Sequence, residues 1–293
     1  MTGTDPTATA TVVAASPGTS VQDLGRPGYM HIGVSPSGAA DMRSFTMANR
    51  LVGNPESAAC FEVLLGGLSL TLSSDRMVAV TGAPVPVQLD GRMVRDPSRM
   101  LVPAGARLDL GRPAEGVRTY LAVAGGVEAA RFLGSAADDV LGGIGSGPVE
   151  TGQTYALGRP VHCPDLPTDL AVSRIPTAAA VLPMYWGPRH DLFDAADRHR
   201  LISQRWQVSD RIDRVAARLI GDPLTIGSVA LPSEGMVRGS IEVPPSGEPI
   251  VFLADHPATG GYPVIGVLAE AAADLLAQAR PGLAVRFDPV VFP

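Results

Sequence analysis

The ten residues Val85–Val94, VPVQLDGRMV, decide the fold class. Val85, Val87 and Leu89 alternate with Pro86 and Gln88, the period-two pattern of a strand that turns one face to a core. Asp90-Gly91 is the residue pair that tolerates the positive φ angles of a two-residue hairpin turn, and RMV begins the return. Outward from this hairpin the same grammar recurs in TVVAA from Thr11, LSLTL, RMVAVTG and the RLDL run that begins at Arg107, each bounded by Gly, Pro or Asp. The chain has 33 glycines and 27 prolines with no collagen-like period, which points to many short elements joined by tight turns. It is read as mainly β with a few helices.

The clearest helix lies in SGAADMRSFTMANRLVGNP. Asp41 is its N-cap; Met42, Phe45, Ala48, Leu51 and Val52 form an apolar stripe, and Gly53 with Pro55 ends it. After Gly158 the sequence becomes proline-rich and weakly periodic, so a connection is placed at 161–182 between an N-terminal part, 1–160, and a C-terminal part, 183–293. The second part opens with the strand VLPMYW. A helix from about Asp191, as cap, to Trp206 follows, then strands in LTI, SIEV, PIVFLAD and PVIGVLA. A helix from Glu270 to Ala279 and a last strand, LAVRFDP, complete it. Glu62 precedes Gly67 by five residues and Glu234 precedes Gly239 by five, with an apolar run after each, so a duplicated β-rich unit is one reading and coincidence the other.

With 293 residues and 45% hydrophobic content the chain builds an ample core. A net charge of -6 and the absence of any Lys/Arg run exclude a phosphate-tracking surface for nucleic acid. No apolar run reaches the length of a membrane span, and the first residues carry neither a basic start nor a sustained apolar stretch, so a cytoplasmic protein is expected. Cys60 and Cys163 read as thiols of a reducing compartment. All 23 basic residues counted as Lys+Arg are arginine. A chain without lysine carries no biotin, forms no Schiff base and supplies no P-loop lysine; it holds anions with arginine forks, backbone N–H groups or helix N-termini.

Familiar catalytic signatures fail by position. GGIGSG at Gly142–Gly147 lacks the third glycine of a dinucleotide loop, and His31, His162, His190, His199 and His256 have no zinc spacing, so no metal site is expected. What remains are polar clusters in glycine-rich turns. TSVQDLGRPGYMHIGVSPSGAAD gathers Gln22, Asp23, Arg26, Ser37 and Asp41; Asp23 and Arg26 either pair and organise the loop or leave Arg26 to face a carboxylate or phosphate. DRIDRVAARLIG holds Asp213 and Arg214, and LPSEG holds Glu234, a base if burial raises its pKa. LADHPATGGYPVI (253–265) carries Asp255, His256, Thr259, Gly260, Gly261 and Tyr262, more polar equipment than strand reversal needs, suited to a small polar substrate.

TSVQDLGRPG, GVSPSGAAD, ANRLVGNP, LAVAGG, FLGS, LPSEG and ADHPATGGYP occur in this order between residues 19 and 263. Together they resemble the family described as the C subunit of 5-oxoprolinase, allophanate hydrolase subunit 2, the Kip-type antagonist of a sporulation kinase inhibitor, and the carboxyltransferase domain of urea carboxylase. The resemblance implies two subdomains of cyclophilin-like β-barrel topology. It implies two partner chains, a B-type one that is Kip-inhibitor-like (allophanate hydrolase subunit 1) and an A-type one. ATP hydrolysis then drives cleavage of 5-oxoproline to glutamate, with the ATP bound together with a partner and no biotin on this chain. Its alternatives are biotin-dependent carboxyl transfer to a urea-like amide and a regulatory protein that binds a Kip-type inhibitor. Carried onto this chain, the motif residues are Glu234, Asp255, His256 and Tyr262 as catalytic groups, and Gln22, Asp23, Arg26, Ser37, Asp41, Glu62, Asp213, Arg214, Thr259, Gly260 and Gly261 around a small amide-bearing substrate. The family's Arg-Ser-Thr after Gly134-Ser135 is here Ala136, Ala137 and Asp138, and its glycine after Asp-Arg-Val is Ala216.

Overall fold

The structure is a computed structural model that describes residues 4–160, 175–226 and 231–291. Two compact units emerge: Met1–Arg26, Ser37–Asp139 and Gly143–Ile175 form the first; Pro27–Pro36, Val140–Gly142 and Pro176–Pro293 form the second. Most of the proline-rich connection expected at 161–182, Cys163 and His162 lie outside the described residues.

Among its described residues unit 1 has twelve strands: β1 (Thr4–Ala14), β2 (Ser20–Gln22), β3 (Cys60–Leu64), β4 (Ser69–Leu72), β5 (Arg76–Gly82), β6 (Val87–Leu89), β7 (Arg92–Met93), β8 (Met100–Val102), β9 (Arg107–Leu110), β10 (Arg118–Val123), β11 (Val127–Glu128) and β12 (Thr154–Gly158). They form a seven-stranded sheet, β11-β12-β1-β4-β9-β6-β7, and a five-stranded sheet, β2-β3-β10-β5-β8. Inward side chains of both sheets share one core, among them Val12, Leu70, Leu108, Phe61, Val78 and Leu121. The five-stranded sheet is apolar on its other face too, where α1 (Met42–Leu51) lays Phe45, Ala48 and Leu51 against Cys60, Ala79, Tyr120 and Ala122. Strand β10 is therefore buried along its whole length, Tyr120 and Ala122 facing the helix, Leu121 and Val123 the shared core. The VPVQLDGRMV hairpin forms: Leu89 pairs with Arg92, while Asp90 (φ 48) and Gly91 (φ 76) take the turn.

Unit 2 is a closed barrel of β13 (Ala179–Trp186), β14 (Trp206–Ile212), β15 (Ala216–Ile220), β17 (Ser240–Glu242), β18 (Ile250–Phe252), β20 (Val264–Leu268) and β21 (Ala284–Pro289). Around the ring the order is β13-β20-β17-β18-β15-β14-β21. Strands that alternate in direction cannot close a ring of odd number, so one neighbouring pair must be parallel; it is β13 and β21, the first and last strands. Leu182, Met184, Trp206, Val251, Ile265 and Phe287 fill the interior. Helices α2 (Ala195–Ser203) and α3 (Glu270–Ala277) pack outside, and β16 (Glu234–Gly235) and β19 (Thr259–Gly260) make a separate two-stranded ribbon.

Three boundaries differ from the sequence reading. The helix expected from Asp191 to Trp206 is a 3-10 turn at His190–Leu192 followed by α2, and its cap is Asp194, whose side chain accepts from the Asp197 N–H. Trp206 starts β14 because its indole fills the barrel, with Nε1 donating to the Leu201 carbonyl at 2.9 Å. The strand expected at LTI is irregular: Leu224 is tethered by its N–H to the Gly247 carbonyl, and the Thr225 N–H goes to Asp197. The third helix ends at Ala277, short of the expected Ala279. The two glutamates that suggested a duplication also occupy unlike places, Glu62 in the middle of a core strand and Glu234 in the peripheral ribbon.

Phe287 is wholly buried in the barrel. Replacing it by alanine should cost about 3–5 kcal/mol of unfolding free energy, read as a lowered midpoint in urea denaturation.

Candidate functional site

In unit 1 the expected polar residues assemble around Ser135–Asp138. Asp23 Oδ1 accepts from the Gly25 N–H at 2.8 Å and the Ser135 hydroxyl at 2.6 Å, and Oδ2 from the Ala136 N–H at 2.7 Å. The partner of Asp23 is thus a loop backbone, with Arg131 at 3.6 Å, and not Arg26 as one sequence reading had it. Gly38 (φ +95) makes the approach possible: a Cβ there would stand 2.9 Å from the Gly25 nitrogen. Gln22 Nε2 and the Ser37 hydroxyl both donate to the Asp138 carbonyl, at 3.0 and 3.2 Å. Arg26 is buried, 1% exposed, and donates through Nη2 to the Ala137 carbonyl. Its Nε and Nη1, and Gln22 Oε1, have no hydrogen-bond partner among the described residues. At the departure positions the backbone of Ala136, Ala137 and Asp138 makes these contacts, so losing an arginine and two hydroxyls leaves the loop's framework intact.

Glu62 and Asp41 serve architecture. Glu62 Oε2 accepts from the Ala40 N–H at 2.9 Å and the Tyr120 hydroxyl at 2.8 Å, with Arg118 at 3.5 Å, while Asp41 caps α1 through the Ser44 N–H at 3.0 Å. Burial, then Glu62 and Asp41, push the Tyr120 phenol well above its ordinary pKa; burial, then Glu62 and Asp23, do the same to the Cys60 thiol. Cys60 is held as an inert thiol rather than a nucleophile.

In unit 2, Asp255 is fully buried and paired with Arg214 in a two-point contact, Nε to Oδ2 and Nη2 to Oδ1, each 2.9 Å. Oδ2 also accepts from the Val140 N–H at 3.1 Å, so the pair anchors the short Val140–Gly142 segment. His256 is buried beside it; its Nδ1 lies 2.8 Å from the Pro257 carbonyl, and since a carbonyl only accepts, Nδ1 carries a proton. Asp213 Oδ1 accepts from the N–H groups of Val215 and Ala216 and shapes the β14–β15 turn.

The two motifs LPSEG and ADHPATGGYP are joined by the ribbon, Glu234 opposite Gly260 and Gly235 opposite Thr259. Glu234 accepts from Arg189 Nε at 2.9 and 3.2 Å and pairs with its Nη2. The hydrogen bond to Arg189 and its charge hold the Glu234 carboxyl below the usual carboxylate range, the reverse of the raised pKa a base requires, because the glutamate lies at a wetted ribbon edge beside a cation.

Sequence reasoning missed Glu242. In SIEV the alternation puts Ile241 and Val243 into the core and Glu242 on the outer face, which reads as solvent. Instead the Gly260–Tyr262 strap covers it, and Glu242 is 4% exposed. Its Oε1 accepts from the Tyr262 N–H at 3.1 Å, and burial raises its pKa. Gly260 lies close over it: a Cβ there would stand 2.5 Å from Oε1 and 2.7 Å from Met236 Sδ, so these side-chain ends would have to shift. Glu242, Asp213, Ala216, Tyr262, Ile250 and Phe252 are among the residues lining a cleft of about 570 Å³ on this face.

This pairing of a barrel with polar, glycine-strapped loops is that of a carboxyltransferase domain. The profile of the carboxyltransferase domain, subdomain A and B, matches residues 32–289, and the chain belongs to that family. The C subunit of 5-oxoprolinase from Escherichia coli (strain K12) is 35% identical over 286 residues, which cover 94% of this chain and 89% of that protein. Urea amidolyase of Saccharomyces cerevisiae is 30% identical over 301 residues, covering 94% of this chain but 16% of that protein. Among solved structures, TTHA0988 superposes with a TM-score of 0.85 at 35% identity over 96% of this chain, which spans 56% of that chain.

Two outcomes follow from these contacts. Asp255→Asn leaves a buried guanidinium short of its counter-charge and should cost about 3–5 kcal/mol in chemical denaturation, part of which Arg214→Met in the same chain restores. Glu242 takes up a proton more readily folded than unfolded, so its contribution to stability is full below the unfolded pKa and is lost as pH rises through the folded one. Glu242→Gln should therefore raise the melting temperature relative to wild type in alkaline buffer and leave it unchanged in acid.

Proposed function

We propose that this chain is a cytoplasmic component of an ATP-dependent 5-oxoprolinase that acts with A-type and B-type partner chains. The observation that carries this reading is the guanidinium of Arg26: buried, permanently charged, and with two donors unpaired among the described residues. An arginine does not deprotonate to escape burial, and an uncompensated buried ion costs several kcal/mol, so the position favours an incoming anion. 5-Oxoproline brings a planar carboxylate that suits the Nε/Nη1 edge and a lactam N–H that suits the unpaired Gln22 Oε1. Urea brings no charge. The match to the C subunit of 5-oxoprolinase along nearly the full length of both chains supports the same choice.

ATP, when bound, would supply a phosphoryl group to the lactam oxygen with release of ADP, activating the ring carbon so that water adds, the C–N bond breaks and phosphate is finally released by hydrolysis. With the free edge of Arg26 given to the substrate carboxylate, ATP in this reading is held together with a partner chain. The chain's other residues position: Asp23 and Ser37 hold the loop that presents Arg26, and Asp255 with Arg214 secures Val140. A second reading, biotin-dependent carboxyl transfer, draws on the urea amidolyase relative; without lysine the biotin would ride on a separate carrier chain.

Co-purified with its A-type and B-type partners, the chain should release glutamate from 5-oxoproline only when ATP is present. Arg26→Gln should lower kcat/KM roughly 10- to 100-fold, the worth of charge-assisted hydrogen bonds, without dissolving the complex. An assembled complex that yields no glutamate removes the reading. Unaltered kinetics in the variant removes Arg26 from it.

A further inference from the structure

We propose that Ser135 is a positioning residue for Arg26, keeping its guanidinium open to an anion by holding the Asp23 carboxylate away from it. Asp23 and Arg26 lie three residues apart, both buried and opposite in charge, and an interior that screens charge poorly favours a direct pair. Asp23 instead turns its oxygens elsewhere. A carboxylate offers about four lone-pair sites, and those of Asp23 meet the Gly25 N–H, the Ser135 hydroxyl, the Ala136 N–H and, at 3.6 Å, Arg131. Two of these donors are backbone and Arg131 is about half exposed, so the Ser135 hydroxyl is the buried side-chain donor of the set. Arg26 is left with Nε and Nη1 unpaired among the described residues. The same hydroxyl also accepts from the Ala137 N–H at 3.0 Å, which joins the acid to the residue whose carbonyl aims Arg26. Ser135 is itself pinned: its N–H and carbonyl bond those of Phe132 across a turn in which Leu133 (φ 50) takes a conformation side chains rarely adopt. Such a costly geometry persists where the surroundings fix it. Removing the hydroxyl leaves Asp23 an open lone pair beside a loosened Ala137, and the two open donors of Arg26 complete a neutralising pair.

For the identity of the anion as a substrate carboxylate this inference rests on the 5-oxoprolinase reading. The probe is therefore acetate, a planar carboxylate with no lactam, titrated by NMR into the full chain. The signal followed is the Nε–H resonance of Arg26, assigned by its loss in Arg26→Gln. Wild type should show a saturable shift. Ser135→Ala should bind acetate roughly tenfold more weakly, the worth of a charge-assisted hydrogen bond, with the Nε–H resonance displaced before any acetate is added. Ser135→Ala combined with Asp23→Asn has no acid to set against Arg26 and should regain affinity for acetate, whereas a merely structural serine leaves the double variant no better than the single one. Wild-type affinity in Ser135→Ala overturns the assignment, as does a double variant that regains nothing, or a wild-type Arg26 resonance that ignores acetate. Should Ser135→Ala fail to fold, Ser135→Cys, with its weak S–H donor, is read against the same outcomes. Glutamate release by the assembled complex is measured separately. An active complex whose Ser135→Ala chain binds acetate like wild type sinks this inference only, and an inactive one with the expected acetate pattern sinks the 5-oxoprolinase reading only.

Discussion

Buried carboxylates that accept backbone N–H groups from distant loops are the interaction on which this structure depends. A chain built from short strands and glycine- and proline-rich turns has many N–H groups outside any ladder, and each one that is buried needs an acceptor. Asp23 takes those of Gly25 and Ala136, Glu62 that of Ala40, Asp255 that of Val140, and Glu242 that of Tyr262. Charge-assisted bonds of this kind are stronger than neutral ones, and each fixes a loop to a sheet at one point. The loops are thereby positioned without regular structure of their own.

This use of acids explains why so many of the polar residues that look catalytic are committed elsewhere. Asp41 caps a helix, Asp213 shapes a turn, Glu62 ties strand to helix entry, and Asp255 answers a buried arginine. With those groups accounted for, Arg26 and Gln22 in unit 1 stand out, because atoms of both are buried without a hydrogen-bond partner among the described residues, while in unit 2 the covered carboxyl of Glu242 holds the Tyr262 N–H. They differ in chemistry: one is a buried cation suited to an anion, the other a carboxyl whose pKa burial raises. Cations here are all arginine, and the planar fork shows in the two-point geometry of Arg214 on Asp255 and of Arg189 on Glu234.

The sequence by itself determined the β-rich class, the VPVQLDGRMV hairpin and the Asp41-capped helix, because alternation, turn chemistry and capping are local: each is written within a few neighbouring residues. The family motifs too were legible, and they correctly marked the loops that carry polar groups. Tertiary structure alone decided the rest. Trp206 leaves the helix its neighbours favour because a barrel interior takes its indole, and LTI stays irregular because its N–H groups find single, distant acceptors. Glu234, which reads as a base, sits beside Arg189, forty-five residues away in sequence. Glu242, which reads as solvent-facing, is covered by a strap from residues 260–262. Whether a carboxyl is charged or neutral depends on what lies over it and beside it, and those neighbours arrive from parts of the chain that no local pattern connects.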